Sequence, residues 1–245
     1  MISHSVKGSI AVGMPIQTPI AGMTCWLDAS DRSSLSLFGT KVGTWADKSG
    51  NQRNFSHNTD ANRPILIENG MNGKSTIRFI LTDQLSLTSS VACNQFVADK
   101  AFTVFIVVGI NSINTNIATE LNGSILSNNG TIGFTLSHNV TSSVELWTWN
   151  TAVKKAKTLI SSGSSLLVFS RNSTEQTMDS DGFPTAVQTQ TETVNDANNL
   201  RIGRNYSSAN FFSGDISEMI FYNTTLTTTQ INDNKRYLRE KWNTK

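Results

Sequence analysis

The 245-residue sequence has little charge. Only 16% of its residues are Asp, Glu, Lys or Arg, and the formal net charge is +2. This near balance argues against a nucleic-acid-binding protein with a strong basic excess and against an acidic disordered tail. Ser, Thr and Asn take the place that Lys and Glu have in a typical intracellular enzyme. A neutral surface rich in hydroxyl and amide groups favours strands and turns, and it favours an extracellular or virion setting.

Cysteine is also scarce, with Cys25 and Cys93 as the only two. Two cysteines exclude a disulfide-dense scaffold and a four-cysteine zinc site. Whether the two pair is open at this stage. Two buried free thiols are favoured over a disulfide, because Cys is among the residue types most often buried.

Long apolar runs are absent. No window holds the roughly 18 apolar residues that a transmembrane helix requires. The mildly apolar stretch 8–23 is interrupted by Pro15, Gln17 and Pro19. This pattern lacks the solid hydrophobic core of a signal peptide. We therefore expect no membrane span and no export by the usual secretory route.

The first 22 residues differ from the rest. They carry almost no charge, contain prolines and glycines, and have no hydrophobic period. Terminal segments of this kind stay extended unless another surface holds them. We predict that residues 1–22 form an extended N-terminal arm that anchors the protein to an assembly, and that residues 23–245 form one domain.

From Met23 onward the pattern is that of β-structure. Short runs rich in Val, Ile, Phe, Thr and Trp alternate with clusters of Gly, Asn, Asp and Ser. Residues 102–108, with the sequence FTVFIVV, carry apolar side chains on both faces, as in a central strand of a packed sandwich. The predicted strands are 24–27, 76–79, 102–110, 123–127, 132–137, 144–150, 165–171, 174–179, 200–203 and 214–222. Many short strands separated by turn signals predict two packed antiparallel sheets.

A single helix is predicted at the end of the chain. Thr227 or Thr228 is a suitable N-cap, and Ile231, Leu238 and Trp242 share one face. Lys and Arg side chains lie in the later turns, where the helix dipole favours cations. We expect this helix to pack its apolar face against the sheets.

Several segments taken in order resemble a known family. They are CWLDASD at 25–31, WADKSG at 45–50, NRP at 62–64, IRF at 77–79, LRIG at 200–203 and FSGDISEMIFY at 212–222. Over residues 23–245 the sequence resembles the concanavalin A-like, laminin G-like jelly-roll domains of bacterial surface proteins and phage structural proteins. The resemblance implies an all-β, two-sheet antiparallel jelly-roll sandwich. It leaves the function open, because this fold hosts lectins, adhesins, glycosidases and structural modules.

Motifs for catalysis are missing. Glycosidases of this fold carry two or three carboxylates at about two-residue spacing along one strand, because an acid and a nucleophile or base must flank the sugar bond. Neither Glu-x-Asp-x-Glu nor Glu-x-Asp-x-x-Glu occurs, and a nucleophile elbow and a phosphate-binding loop are absent as well. We therefore expect no enzyme activity and no cofactor, with structural calcium as the alternative to be tested. Many relatives of this fold bind calcium, and the candidate ligands are Asp28, Asp31 and Asp215.

Sugar binding is the remaining hypothesis for a site. Trp147 and Trp149 are two residues apart, which places them on one face of a predicted strand. Further candidate contacts in predicted loops are Asn128, Asn129, Asn205 and Tyr206. In the alternative, both tryptophans line the core and Thr148 faces water. The large area that Trp buries favours that alternative.

Together these patterns predict a non-enzymatic surface protein of a bacteriophage virion, such as a capsid decoration, head-fibre or tail-attachment subunit. The arm would contact other virion proteins, and the jelly roll would hold host surface polysaccharide weakly. Many copies would convert weak contacts into avidity, and a homotrimer is compatible with this. Two alternatives are a purely structural protein that stabilises a shell without binding sugar, and a bacterial surface lectin.

Overall fold

The computed structural model describes residues 18–80, 85–97, 101–110, 123–128, 133–139, 143–149, 153–159, 163–191, 197–205 and 211–244. The first strands are Cys25–Asp28 (β1), Leu35–Phe38 (β2), Lys41–Trp45 (β3), Phe55–Ser56 (β4), Ile65–Met71 (β5), Lys74–Phe79 (β6), Leu87–Ala92 (β7) and Phe102–Ile110 (β8). The later strands are Gly123–Asn128 (β9), Gly133–Asn139 (β10), Ser143–Trp149 (β11), Val153–Leu159 (β12), Gly163–Arg171 (β13), Glu175–Ser180 (β14), Ala186–Thr189 (β15), Asn199–Ile202 (β16) and Gly214–Tyr222 (β17). One α-helix follows, Thr228–Trp242 (α1).

The strands form two antiparallel layers. Sheet I has the order β15-β14-β13-β8-β17, with β1 and β6 side by side along the far edge of β17. Sheet II has the order β2-β3-β4-β7-β16-β9-β10-β11-β12. The β5–β6 hairpin links the two layers, since β6 pairs with β17 and β5 touches β3. The predicted all-β jelly-roll sandwich with one C-terminal helix is confirmed.

Strand β8 illustrates how the core is divided. Val104 and Ile106 lie in the core between the sheets. Phe105 and Val107 point to the other side, where they join a second core beneath α1. Successive side chains of a strand alternate between faces, so a strand with both faces covered must be apolar throughout. This is the physical reason for the unbroken apolar run in the sequence.

Helix α1 begins with a capping box. Thr227 Oγ1 accepts a hydrogen bond from the Gln230 N–H, and Gln230 Oε1 accepts one from the Thr227 N–H. Leu238 and Trp242 on its apolar face are fully buried. These features confirm the predicted cap and packing. Within the described ranges, no helix has the length and apolar character needed to cross a membrane.

All ten predicted strands are present, with shifts of a few residues at their ends. The turn sequence DSDG at 179–182 predicts a hairpin with Gly182 at positive φ, and β15 is its second arm. The strands that sequence reasoning missed are β2, β3, β4, β5, β7 and β12. Most are short or polar, and β12 carries three lysines within the sequence VKKAKTL. Such strands lack the alternation of apolar and polar residues on which sequence prediction depends.

Residues 18–22 of the predicted arm lie against the domain itself. The Ile20 N–H donates to Asn234 Oδ1 at 3.1 Å, and the Tyr222 hydroxyl donates to the Ile20 carbonyl at 2.9 Å. Ile20 also packs against the core beneath α1. Residues 1–17 lie outside the described part of the chain, so the anchoring role of the arm stays a prediction.

The two cysteines are both buried and both free. They therefore follow the favoured interpretation of two core thiols. Burial raises the pKa of the Cys25 thiol well above its usual value, and the nearby Asp47 carboxylate raises it further. The thiol is therefore protonated at neutral pH and behaves as a small apolar group.

Candidate functional site

Two of the predicted metal ligands lie in a network of carboxylates and lysines between β1, β17 and α1. Asp28 on β1 is directly opposite Glu218 on β17. Lys241 Nζ lies 2.8 Å from Asp28 Oδ2 and 2.7 Å from Glu218 Oε2. Lys48 Nζ lies 2.9 Å from Asp28 Oδ2 and 2.8 Å from Asp31 Oδ2. We call Asp28, Asp31, Lys48, Glu218 and Lys241 the carboxylate–lysine network.

Glu218 is the centre of this network and has no exposed surface. Its Oε1 accepts hydrogen bonds from Trp26 Nε1 and the Tyr237 hydroxyl, both at 2.7 Å. Its Oε2 accepts one from Trp242 Nε1 at 2.6 Å. No sequence motif marks Glu218. The available signal is its place among the apolar residues of a long predicted strand, where a buried carboxylate must have partners.

The pKa values of the three carboxyl groups are shifted in different directions by their surroundings. Burial raises the pKa of Glu218 above 4.5, and the attraction of Lys241 offsets this only in part. Burial also acts to raise the pKa of Asp28, but Lys241, Ser30 and Lys48 outweigh it and hold the pKa below 3.8. The hydrogen bond from Lys48 is the main cause that lowers the pKa of Asp31 to about 2.

These carboxylates do not fit a calcium site. Calcium requires six to eight oxygen ligands, whereas Asp28 and Asp31 are bound to lysine ammonium groups. Asp215 lies apart from them, in a bidentate ion pair with Arg78 at 2.7 and 2.9 Å. Among the described residues, no group of three His, Cys, Asp or Glu side chains could hold a metal ion. Structural calcium stays a prediction that metal removal can test.

A second polar cluster lies on sheet II and is open to solvent. It is a cleft of about 330 Å³, near the lower end of the roughly 300–1,000 Å³ typical of ligand pockets. Its lining consists of hydroxyl, amide and imidazole side chains from β4, β7 and the loop after β4. We call it the polar cleft, and its residues are Ser56, His57, Asn58, Thr59, Thr88 and Ser89.

Arg63 fixes the wall of the polar cleft. Its Nε donates to the His57 carbonyl at 2.9 Å, and its Nη2 donates to the Asn58 carbonyl at 3.0 Å. The guanidinium also stacks on the Phe38 ring, with 3.8 Å between Cζ and the ring centroid. These contacts shape the loop before any ligand arrives, which lowers the entropic cost of binding.

The strand register connects the backbone at the polar cleft to the far strands of sheet II. Residues directly opposite each other on paired strands share a face. Starting from the cleft, the paired positions are Ser56, Thr88, Arg201, Ser127, Thr135, Trp147 and Lys155. We call this set the outer row. The adjacent set of paired positions contains Ile202 and Leu126, which both belong to the core between the sheets.

This register bears on the predicted tryptophans. Trp147 occupies the outer row, and Trp149 has the same parity two residues further along β11. The side chains of Trp147 and Trp149 lie outside the described part of the structure, so their role as sugar contacts stays a prediction. With neighbouring strands about 4.8 Å apart, the four strand spacings from Thr88 to Trp147 place their backbones about 19 Å apart.

The other predicted sugar contacts lie in different parts of the structure. Asn128 has no exposed surface and pairs with the buried Leu200 on the core side of sheet II. Its prediction as a sugar contact is therefore wrong, because it ends β9 inside the sheet and does not lie in a loop. Asn205 is half-buried and follows Arg204 near the cleft. Asn129 and Tyr206 lie outside the described residues.

The surroundings of the polar cleft shift the pKa of its histidine. Burial lowers the pKa of His57 below 6.5, and the guanidinium groups of Arg204 and Arg63 lower it further. Burial lowers the pKa of Arg201 as well, and the neighbouring Arg204 adds to this effect. The His57 ring is thus neutral at pH 7, and its Nδ1 accepts the Thr59 N–H at 3.1 Å. That leaves the proton on Nε2 available as a donor.

Comparison with known proteins gives one family match. The model of the family described as the concanavalin A-like lectin/glucanases superfamily matches residues 81–232. This range contains β7 to β17 and the start of α1. No curated protein matches the sequence.

Solved structures with the same fold are similar at low sequence identity. The binding domain of Paraclostridial Mosquitocidal Protein 1 is 14% identical, with a TM-score of 0.64, covering 89% of this chain and 52% of that chain. Domain 4 of an extracellular arabinanase from Geobacillus stearothermophilus, in complex with arabinotriose, is 14% identical, with a TM-score of 0.62, covering 89% and 98%. A botulinum neurotoxin serotype D ligand-binding domain, in complex with N-acetylneuraminic acid, is 10% identical, with a TM-score of 0.62, covering 88% and 50%. The chain thus spans about half of these two toxin structures and nearly all of the arabinanase domain.

Proposed function

The chain belongs to the concanavalin A-like lectin/glucanases superfamily, and from that premise we propose that it is a carbohydrate-binding module. The proposed site is the polar cleft of sheet II. One observation carries the proposal: the cleft is open to solvent and is lined by hydroxyl, amide and imidazole side chains. A few polar groups converging on a preformed cleft suit a sugar ring.

The chemistry of the polar cleft supports this role. Ser56, Thr88 and Thr59 offer hydroxyl groups that both donate and accept, and Asn58 offers an amide. The neutral His57 ring adds an N–H donor. Sugar hydroxyls need such mixed partners. The arabinanase domain supports the same class of ligand, because it was solved with an oligosaccharide and nearly its whole length aligns with this chain.

We propose that the protein binds sugar without cleaving it. The residues that line the polar cleft include no carboxylate. Asp28 and Glu218 are directly opposite each other, but they are 3% and 0% exposed and share Lys241 beneath α1. Glycoside hydrolysis needs two carboxyl groups that flank the sugar bond, which is impossible for a pair with no access to solvent.

A glycan array followed by calorimetry tests the binding proposal. We expect wild-type protein to bind at least one set of oligosaccharides. Thr88→Trp places a large side chain in the polar cleft and should weaken that binding at least tenfold. The matched control is Thr189→Trp, which makes the same substitution at an exposed position on β15 in sheet I. No binding to any glycan, or equal losses in both variants, would overturn the proposed site.

We further propose that the module serves on a bacteriophage virion, as a capsid decoration, head-fibre or tail-attachment subunit, with residues 1–22 as its contact to other virion proteins. The nearly uncharged arm and the low surface charge support this role. Ile20 and Met23 pack beside α1, so the contact to a neighbour would fall on residues 1–17. Several copies, as in a trimer, would strengthen weak sugar contacts by avidity.

An electron-microscopy reconstruction of the native assembly tests the virion role. Residues 1–17 threaded into a neighbouring virion protein would support it. A free protein whose residues 1–17 fold onto their own domain would contradict it and leave a surface lectin. Virion association combined with silence on the glycan array would instead favour the purely structural alternative, a shell-stabilising protein that binds no sugar.

A further inference from the structure

One large apolar side chain lies exposed beside the polar cleft. Phe38 ends the edge strand β2 and is 55% exposed, one of two exposed large apolar residues in the described part of the chain. It lies on the outer face of sheet II, because the preceding Leu37 packs against the core between the sheets. Ser36 shares the outer face and is opposite Thr44. Thr44 in turn is opposite the cleft residue Ser56. Phe38 and the polar cleft therefore lie on the same face of the sheet.

Arg63 fixes the orientation of the Phe38 ring. The Cζ atom of Arg63 lies 3.8 Å from the ring centroid, so the guanidinium stacks on one face of the ring. The guanidinium is itself held, because its nitrogens donate to the carbonyls of His57 and Asn58 and to the carboxylate of Asp60. The Arg63 side chain is only 11% exposed. The covered face of the ring is therefore turned toward the protein, and the opposite face is open to solvent.

Gly43 makes room for the ring on the sheet. The register between β2 and β3 shifts at Gly43, which is the extra residue of a bulge. A Cβ atom at this position would lie 2.5 Å from the nearest atom of the Phe38 ring, so the ring can lie this close to the backbone only over a glycine. The Gly43 carbonyl accepts the His57 N–H at 3.0 Å. The same residue thus seats the ring and ties β3 to the loop of the cleft.

An aromatic ring with one open face and a fixed orientation suits contact with a sugar. One side of a pyranose ring carries mainly C–H groups, which pack on the apolar face of an aromatic side chain, while the hydroxyl groups project at the rim. Single exposed apolar side chains are common on protein surfaces. Phe38 differs from them because its ring is held in place before a ligand arrives, which lowers the entropic cost of binding. In addition, only the Arg63 guanidinium separates it from the wall of the cleft.

We propose that Phe38 is the stacking platform of a second sugar subsite next to the polar cleft. The cleft binds the hydroxyl groups of one sugar ring, and the open face of Phe38 binds the C–H face of the adjoining ring. The inference rests on the proposed function, since it names the class of ligand that the same site takes: an oligosaccharide of at least two rings. Phe38 does not line the cleft. A single sugar ring in the cleft therefore makes no use of the platform.

Sugars of different length test the second subsite. The probes are arabinotriose and cellotriose, each compared with its monosaccharide, arabinose or glucose. NMR titration measures the affinities, because it detects weak binding. We expect at least one trisaccharide to bind about tenfold more tightly than its monosaccharide, or better, since only the longer ligand reaches the aromatic face.

Four variants locate the effect on Phe38. Phe38→Ala should weaken trisaccharide binding about tenfold and leave monosaccharide binding within a factor of about two. Phe38→Tyr keeps a flat ring and should retain the wild-type affinity. Phe38→Leu still covers Arg63 but has no flat face, so it should weaken trisaccharide binding as Phe38→Ala does. The matched control is Val187→Ala, which shortens the other exposed large apolar residue, on β15 in sheet I, and should change neither affinity.

The outcomes separate this inference from the proposed function. Full trisaccharide affinity in Phe38→Ala or Phe38→Leu, or an equal loss in Val187→Ala, overturns the second subsite. Equal losses of monosaccharide and trisaccharide binding in Phe38→Ala also overturn it, because Phe38 would then support the cleft without binding sugar. The carbohydrate-binding module stands in these cases if Thr88→Trp still weakens binding. Absence of binding to both trisaccharides overturns this inference, and silence of the whole glycan array overturns the proposed function as well.

Discussion

The carboxylate–lysine network and the polar cleft use similar side chains for opposite purposes. In the network, Glu218 has no exposed surface, and each of its oxygens accepts hydrogen bonds from two donors. In the cleft, hydroxyl, amide and imidazole groups line an open volume. A polar group that is fully paired inside the protein stabilises the fold and has nothing left to offer a ligand. Polar groups at an open, preformed surface contribute little to stability and can bind. The contrast leads to five predictions, which run from the largest effect to the smallest.

Replacing Glu218 should have the largest effect on stability. Glu218→Leu leaves three buried donors and Lys241 without this acceptor, so we expect a loss of about 3–5 kcal/mol in the free energy of unfolding. Urea unfolding followed by tryptophan fluorescence measures it. The control is Glu175→Leu at an exposed position on β14, where the change should stay near zero. A loss below about 1 kcal/mol for Glu218→Leu would mean that the network does not hold α1.

The two lysines of the network should contribute differently to the free energy of unfolding. Lys241→Met removes the ammonium between Asp28 and Glu218, and we expect a cost of about 3 kcal/mol. Lys48→Met leaves Asp28 with Lys241, and its side chain is more exposed, so the cost should be about 1 kcal/mol. The same unfolding experiment compares them. Equal costs would contradict the central place of Lys241.

The pH dependence of the free energy of unfolding should show that the pKa of Glu218 is raised in the folded state. Burial raises the pKa of Glu218, so between its unfolded and folded values the folded state holds a proton that the unfolded chain has lost. The stabilisation that comes from holding this proton on Glu218 is therefore fully present below about pH 4.5. That contribution falls by up to about 1.4 kcal/mol per pH unit as the pH rises through the folded pKa.

The Glu218→Gln variant isolates this contribution. The free energies of unfolding of wild type and Glu218→Gln are compared from pH 4 to 8. Above about pH 4.5, wild type should lose stability relative to the variant. Asp28 acts in the opposite sense and in another window, since its lowered pKa removes stability only as the pH falls below about 3.8. Parallel curves above pH 4.5 would show that the pKa of Glu218 is not raised.

A conservative change in the polar cleft should affect binding without affecting stability. Thr88→Val keeps the shape of a β-branched side chain and removes the hydroxyl. We expect a change of less than about 0.5 kcal/mol in the free energy of unfolding, as for most surface positions. Sugar affinity should fall, as calorimetry with the best ligand of the array would show. A large loss of stability would place Thr88 with the structural polar groups.

Metal removal should have the smallest effect on the stability of the protein. A structural calcium at 100 times its dissociation constant would stabilise the fold by about 2.7 kcal/mol and raise the melting temperature by several degrees. Because lysines bind Asp28 and Asp31, we expect EDTA and added calcium to shift the melting temperature by less than about 1 °C. A rise of several degrees in the melting temperature with calcium, and with no other cation, would support the predicted metal site.

Local patterns in the sequence predict much of the sandwich. The apolar run of β8, the capping threonine of α1 and the positive φ of Gly182 after β14 all follow from residues that are near neighbours in the chain. The large apolar area of Trp45 predicts a packing residue, and Trp45 is fully buried. An arginine between Ile77 and Phe79 in a strand predicts a side chain that faces solvent or pairs with a carboxylate, and Arg78 pairs with Asp215. Each of these depends on alternation, helical spacing or a single unpaired charge.

The site was harder to predict because its parts come from distant segments. The polar cleft joins residues 56–59 to 88–89 and, through the register, to 201 and 147. Asn128 resembled a loop residue, but one more pair in the β9–β16 ladder places it inside. His57 has no motif around it, and Arg201 enters the sequence analysis only as part of the segment LRIG at 200–203, so neither residue was predicted to lie beside a site.

The order of residues along the chain decided that this protein would be a two-sheet sandwich closed by one helix. That result depends on the two-residue period of strands and the 3.6-residue period of helices, and both act over a few neighbours. Only the tertiary structure decided which polar groups would be paired and which would stay open. Lys241 reaches Asp28, which lies more than two hundred residues earlier in the chain, because α1 packs where β1 pairs with β17. Arg201 stands beside Thr88 because β16 pairs with β7. Contacts of this kind depend on strand order and register, which short-range patterns do not specify.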